Sequence, residues 1–216
     1  MRIITENVFQ IGDSGCSVYL IRNSGKYALI DIGMDFNQIK SIEKHGLSLH
    51  GVEYCILTHC HIDHIYALKG LKSYAPNIQL VAHELDAEAI ETEGFEARTA
   101  ASWYGVHYTP VPLNLKMSGE LMELPFGSIV LKLIHIPGHT PGSIAVYSEV
   151  DGVRVLFGQD IHGPFMDEFE SDLKAYKQSM NRLLDLEADI LCEGHFGVIK
   201  PAKAVREFIE SYRDRI

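Results

Sequence analysis

The segment His59-Cys60-His61-Ile62-Asp63-His64 concentrates ligand chemistry: five of its six residues carry an imidazole, a thiol or a carboxylate able to bind a metal. It follows Val52-Glu53-Tyr54-Cys55-Ile56-Leu57, an apolar, β-prone run that reads as a buried strand. Residues two apart in an extended chain point the same way, so His59 and His61 face one ion together while Cys60 points away. Asp63 and His64 come as the chain turns into a helical pattern, which swings them to the other side of the same cavity. Three more ligand-type residues stand at strand ends. His139 lies in the tight turn Ile136-Pro137-Gly138-His139-Thr140-Pro141-Gly142-Ser143, Asp160 closes Leu156-Phe157-Gly158-Gln159-Asp160, and His195 closes Leu191-Cys192-Glu193-Gly194-His195. A rigid sheet can hold such loop residues in a common cleft.

With these residues in this order, the chain resembles the metallo-β-lactamase-fold superfamily. Within it, the chain is most similar to the short, single-domain glyoxalase II-like hydrolases, from Asn7-Val8-Phe9-Gln10-Ile11 to His195. The resemblance implies an α/β (α+β) fold, a four-layer αββα sandwich with a cleft along one sheet edge, as one domain over 1–216. It implies two divalent metal ions, zinc first, with iron or manganese as alternatives. His59, His61 and His139 would hold one ion, Asp63, His64 and His195 the other, and Asp160 would bridge them. Asp31, in Ala28-Leu29-Ile30-Asp31-Ile32-Gly33, matches the family's aspartate that holds a ligand imidazole by its free N–H. Two positions depart from the family pattern. Ile65-Tyr66-Ala67 stands where x-Gly-Gly often follows the motif, which suggests an altered pocket wall at Tyr66, and Gln159 stands where a glycine usually precedes the bridging aspartate.

Five imidazoles and two carboxylates suit zinc, iron or manganese, and a set without thiolate argues against a closed structural zinc site. The implied reaction is hydrolysis of a thioester or related ester-type bond by hydroxide generated at an open dinuclear site, with Asp63 and Asp160 as catalytic carboxylates. The resemblance implies a glutathione-binding C-terminal extension in full-length glyoxalase II, which is not expected here. The alternative is an oxidoreductase: persulfide dioxygenases share the fold but use a single iron at the residues matching His59, His139 and Asp160.

Composition sets the frame. The 216 residues suffice for one sizeable core, and 46% hydrophobic with 22% charged residues is the balance of an ordinary globular protein. A net charge of −10 argues against a nucleic-acid partner, and no apolar run approaches the roughly 20 residues that span a bilayer. No export signal or membrane motif is visible, so a cytoplasmic enzyme with a small-molecule substrate, free thiols and a homo-oligomeric assembly is expected. Cys55 and Cys192 read as core residues and Cys60 as a small residue in a tight loop.

Periodicity predicts strands through the first thirty residues, a helix over 35–45 capped by Asp35 and stopped by Gly46, a strand over 52–57, a helix over 63–73, a strand over 78–82 and a helix over 83–92. The second half reads as strands near 120–124, 128–136, 143–149 and 153–158, a helix over 172–186, a strand over 189–192 and a helix over 201–214. Clustered strands with helices between them suit packed sheets with outer helices. The segment 93–118 fits neither pattern. Its aromatic residues Trp103, Tyr104 and Tyr108 are expected to wall the substrate entrance, with Tyr66 and His162 beside it.

Overall fold

The apolar runs of the first half of the chain pair into one seven-stranded sheet, in the order in which they occur. Its strands are β1 (Arg2–Ile3), β2 (Val8–Gly12), β3 (Val18–Asn23), β4 (Lys26–Ile30), β5 (Val52–Ile56), β6 (Gln79–His83) and β7 (Leu115–Met117). Hairpin connections make β1 to β4 antiparallel, whereas the helical crossovers after β4 make β4 to β7 parallel. A second, six-stranded sheet holds β8 (Leu121–Phe126), β9 (Ile129–His135), β10 (Ile144–Val150), β11 (Val153–Phe157), β12 (Ile190–Glu193) and β13 (Gly197–Ile199), ordered β13-β12-β11-β10-β9-β8. Only β11 and β12 run parallel in it. The helices are α1 (Phe36–Lys40), α2 (Ile62–Ile65), α3 (Leu68–Tyr74), α4 (Glu84–Glu91), α5 (Ala101–Tyr104), α6 (Leu173–Leu184) and α7 (Ala202–Arg213). This computed structural model describes residues 1–216.

Side-chain alternation sorts the strands into layers. Along β3, Tyr19 and Ile21 join Phe126, Leu133, Val146 and Phe157 in a cluster between the sheets. Val18 and Leu20 point the other way and pack with Ile39 of α1, Leu68 and Leu71 of α3 and Ile90 of α4. On the far side of the second sheet, Ala145, Leu156 and Leu191 meet Met180 and Leu183 of α6 and Val205 and Ile209 of α7. Three apolar layers between helices, sheet, sheet and helices give the αββα sandwich. Each fully buried Leu or Ile in them contributes about 1.5–3 kcal/mol relative to exposure. No helix is long and apolar enough to cross a membrane.

Most expected elements lie within a few residues of their predicted places, and four differences have physical causes. The helix expected over 63–73 is two pieces, because the His64 carbonyl accepts from the Ile32 and Gly33 amides and the Ala67 amide donates to the Gly33 carbonyl. The end of β4 thus takes hydrogen bonds from the helix ladder and pins His64 in place. The 35–45 helix tightens into a 3₁₀ turn over Ser41–His45, ending at the left-handed Gly46. The segment 93–118 is not devoid of regular structure: it contains α5 and the edge strand β7. β13 is three residues long and leaves no periodic signal.

Candidate metal centre

The expected ligand residues gather at one edge of the sandwich, from strand ends and from the short helix α2 that follows β5. His59 and His61 follow β5, Asp63 and His64 lie in α2, His139 follows β9, Asp160 follows β11 and His195 follows β12. The backbone of Asp160 is left-handed (φ 53°), a conformation aspartate tolerates better than most residues and one that turns its carboxylate back over the strand ends.

The two carboxylate oxygens of Asp160 face different partners. Oδ2 lies 3.6 Å from His59 Nε2 and 3.3 Å from His139 Nε2. Oδ1 lies 3.2 Å from His64 Nε2 and 3.3 Å from His195 Nε2. On the first side His139 Nε2 and His61 Nδ1 stand 2.9 Å apart. On the second, Asp63 Oδ2 is 3.4 Å from His195 Nε2 and 3.8 Å from His64 Nε2. Two groups therefore converge, His59–His61–His139–Asp160 and Asp63–His64–His195.

These residues fit metal ions. Donors about 2.0–2.1 Å from a tetrahedral ion stand about 3.3 Å from one another, the spacing seen here. His59 Nε2, His61 Nε2, His64 Nε2 and Asp160 Oδ1 are buried without a hydrogen-bond partner. Orphaned buried polar atoms are costly, and four around one cleft are the mark of an uncounted partner. The opposite ring nitrogens are engaged: His139 Nδ1 donates to the Pro164 carbonyl at 2.8 Å and His64 Nδ1 to Asp31 Oδ2 at 2.8 Å. Each such bond fixes a tautomer whose Nε2 lone pair points into the cleft. Asp31, fully buried, also accepts from the Thr58 amide and hydroxyl, so it locks β4 to the loop that carries His59.

Electrostatics separate the two groups. Burial holds His59 and His61 well below the usual histidine pKa, helped by the neighbouring imidazoles His64 and His139 respectively. Burial also acts against charge on His64, but Cys16, Asp160, Asp31 and Asp63 outweigh it and push its pKa well above the usual value. Burial opposes charge on His195 too, and the Asp160 carboxylate raises its pKa nonetheless. Asp160 itself is held well below the carboxylate range: burial works against its ionisation, and His64 with the other imidazoles overcomes it.

The wall residues divide. Trp103 and Tyr104 of α5, with His162, Pro164 and Phe169, line a cleft of about 100 Å³ over His61, Asp63, Asp160 and His195. The Tyr104 hydroxyl donates to Asp63 Oδ2 at 3.1 Å, and burial together with that carboxylate pushes its pKa up to about 12. Trp103 packs on Phe169 and its indole N–H donates to Glu168 at 2.9 Å, joining the two lips of the cleft. Tyr108 and Tyr66 lie elsewhere. Tyr108 is buried in the helix layer with its hydroxyl on the Ile90 carbonyl. Tyr66 lines a separate surface hollow with Phe36, Lys69 and His107, because the break between α2 and α3 turns it away. A larger cavity of about 360 Å³ between α6 and α7 contains none of these ligand groups; the chemistry is in the smaller cleft.

Residues not singled out in the sequence complete the centre. Cys16 joins Asp31 and His64 in a buried cluster, its thiol raised to about 12 by burial. Buried Glu193 accepts from the His195 and Phe196 amides through Oε2 and from His162 Nδ1 through Oε1, which shapes the His195 turn. Gly194 leaves the space: a Cβ there would stand 2.7 Å from Asp160 Oδ1. The Glu-Gly-His order around Glu193 was a visible signal; nothing in the spacing pointed to Cys16.

A family model described as the metallo-beta-lactamase superfamily matches residues 11–195. The chain belongs to that superfamily. Among curated proteins, it is 31% identical over 149 residues to an uncharacterised protein of Aquifex aeolicus, a match covering 68% of this chain and 64% of that one. It is 25% identical to an acyl-coenzyme A thioesterase of Gallus gallus over 94% of this chain and 80% of the relative. It is also 25% identical to a hydroxyacylglutathione hydrolase of Cereibacter sphaeroides, over 80% of this chain and 58% of the relative. Among solved structures, a B3 metallo-beta-lactamase with an active-site glutamic acid superposes with a TM-score of 0.84 at 21% identity, covering 99% of this chain and 87% of that one. That likeness establishes the fold. As a member of the metallo-beta-lactamase superfamily with a His/Asp cluster suited to divalent metal, the protein is a metal-dependent hydrolase.

Proposed function

We propose that the protein hydrolyses a thioester or a related ester-type bond at a dinuclear site, with His59, His61 and His139 on one ion, Asp63, His64 and His195 on the other, and Asp160 between them. The observation that carries the dinuclear reading is the division of the Asp160 oxygens, one towards each group. When bound at these residues, ions, zinc foremost, would supply Lewis acidity towards a carbonyl and lower the pKa of a bound water to near neutrality. The thioester class is supported by the names of two of the relatives, an acyl-coenzyme A thioesterase and a hydroxyacylglutathione hydrolase.

The chain's own groups have definite tasks in this reading. Asp63 orients the attacking water with the oxygen that also accepts from Tyr104. Tyr104 keeps its proton at neutral pH and so remains a donor towards oxygen in the cleft. Trp103 and Phe169 shield the centre from bulk water and offer apolar surface. A cleft of about 100 Å³ admits a reacting acyl group and not a whole coenzyme, since sites that engulf drug-sized ligands run to roughly 300–1,000 Å³. The carrier part of the substrate then lies outside, across the exposed faces of Trp103 and Phe196.

A second reading, a mononuclear-iron persulfide dioxygenase, would use His59, His139 and Asp160, and it is favoured by the convergence of these three buried side chains. Metal analysis of protein purified without added metal, run beside thioester-cleavage and oxygen-uptake assays, separates the two. Two ions per chain and thioester cleavage are expected. One iron per chain with persulfide-dependent oxygen uptake, and no cleavage across thioesters and lactones, would replace hydrolase with dioxygenase.

A further inference from the structure

Asp86 is a fully buried carboxylate on α4, outside both ligand groups, and every bond it makes leads towards them. Oδ2 accepts from the Cys60 amide at 3.0 Å, the peptide between His59 and His61. The same oxygen accepts from the Thr140 hydroxyl at 2.7 Å, one residue after His139. Oδ1 accepts from the Gly142 amide at 2.8 Å and from the Arg98 guanidinium at 3.1 Å. Gly142 is required for this approach, because a Cβ there would stand 2.6 Å from the carboxylate carbon. The Thr140 hydroxyl and amide are in turn tied to the Ser143 hydroxyl, so the His139 turn is braced on both sides.

Two loops from different sheets thus share one anchor. His59 and His61 come from the seven-stranded sheet and His139 from the six-stranded one; the Ile144 amide donates directly to the Thr58 carbonyl at 2.8 Å, and Asp86 adds the side-chain link between the Cys60 peptide and the Thr140–Gly142 turn. Arg98 extends the link: it also donates to the Leu85 carbonyl and reaches Glu170 at 3.5 Å, beside Phe169, which packs 4.3 Å from the His61 ring. A carboxylate has acceptor capacity for all four donors, which an amide or a hydroxyl lacks.

We propose that Asp86 is the positioning residue of the His59–His61–His139 group: it sets the distance between the two loops and so the affinity of that group for its ion. The inference rests on the reading that these three histidines hold a metal. Asp86 touches none of the three imidazoles and acts through the Cys60 and Gly142 peptides and Thr140. Loss of partners that orient ligands lowers metal affinity by roughly 10–100-fold. The Asp63–His64–His195 group is anchored instead by Asp31 and Glu193 and should be spared.

The test is zinc affinity, measured by competition with a chromophoric chelator on the intact chain, for wild type, Asp86→Asn and Thr140→Val. Asp86→Asn is nearly isosteric but turns an acceptor into a donor facing backbone N–H groups. The expected result is a drop of roughly 10–100-fold in affinity for one of two zinc ions, with the other unchanged. Thr140→Val removes one of the four bonds and should give a drop of a few fold at the same ion; it carries the test if Asp86→Asn does not fold. Equal weakening of both ions, with earlier unfolding of the metal-free variant, would mean that Asp86 is a general structural brace and overturn the proposal. So would unchanged zinc affinity in Thr140→Val or a folded Asp86→Asn while wild type binds normally. Wild type that takes up no zinc would instead defeat the metal reading, and this proposal with it.

Discussion

Around Asp160 the two ligand groups face different surroundings. His59, His61 and His139 are buried, meet no carboxylate except Asp160, and include two imidazoles whose pKa burial depresses. The other group contains Asp63, has Asp31 behind it, carries two imidazoles of raised pKa, and opens to solvent at His195, whose side chain is 28% exposed. Protons therefore compete weakly with an ion for His59 and His61, whose pKa values are lowered, and strongly for His64 and His195, whose pKa values are raised. The difference teaches that one motif, His59 to His64, contributes to two side-chain groups of opposite electrostatic character, because the turn from β5 into α2 separates its halves.

The largest expected effect comes from the residue the groups share. Asp160→Asn keeps a side chain that tolerates left-handed backbone but weakens both groups at once. Both ions should be lost on dialysis, and turnover should fall beyond the roughly 100-fold typical of an outer partner's loss. Loss of only one ion by elemental analysis would break the comparison, since Asp160 would then belong to a single group. Next in size, His195→Ala should lower metal content from two per chain to one, and His59→Ala should remove the ion that His195→Ala retains. Cobalt-loaded variants distinguish the two by their absorption bands; identical spectra would show the groups to be equivalent.

A pH series sharpens the contrast further. Protons compete with an ion for His64 and His195, whose pKa values are raised, so affinity at that group should fall as pH drops from 8 to 6, by about tenfold per unit for each proton displaced. Affinity at the first group should change little over this window, because His59 and His61 are already unprotonated there. Parallel pH slopes for the two zinc-binding steps would count against the assignment. The smallest effect is expected at the lip. Trp103→Ala removes apolar surface worth roughly 25 cal/mol per Å² and should raise KM several fold with metal content unchanged. Tyr108→Phe, deep in the helix layer, should leave KM where it was.

The convergence of His59, His61, Asp63, His64, His139, Asp160 and His195 was legible in the sequence because metal chemistry uses few residue types and the strand ends near them are punctuated by Gly and Pro. The helix and strand positions followed from pattern for the same reason. The layer assignment did not, because both faces of the central strands are buried: Tyr19 and Leu20 are equally hidden, one between the sheets and the other under the helices. Polar alternation, which marks a one-sided strand, is therefore missing. Aromatic content could not tell Trp103 from Tyr108, since direction depends on how α5 and the following loop pack. Cys16 and Asp86 reach the centre from remote elements, and a linear reading carries no signal for contacts across such distances; Glu193, two residues before His195, was marked by its place in the motif.

One consequence concerns the time at which the centre comes into being. His59 and His195 are separated by more than half the chain, and β12, which leads into His195, joins its sheet only by lying parallel beside β11 after α6 has crossed over. A ribosome adding roughly 5–20 residues per second emits the first four ligand residues on the order of ten seconds before the last. During that interval His59, His61, Asp63 and His64 sit on a nascent chain without Asp160 to divide them. In the proposed dinuclear reading, a closed pair of sites would thus arise only when the final third of the chain has folded onto the first.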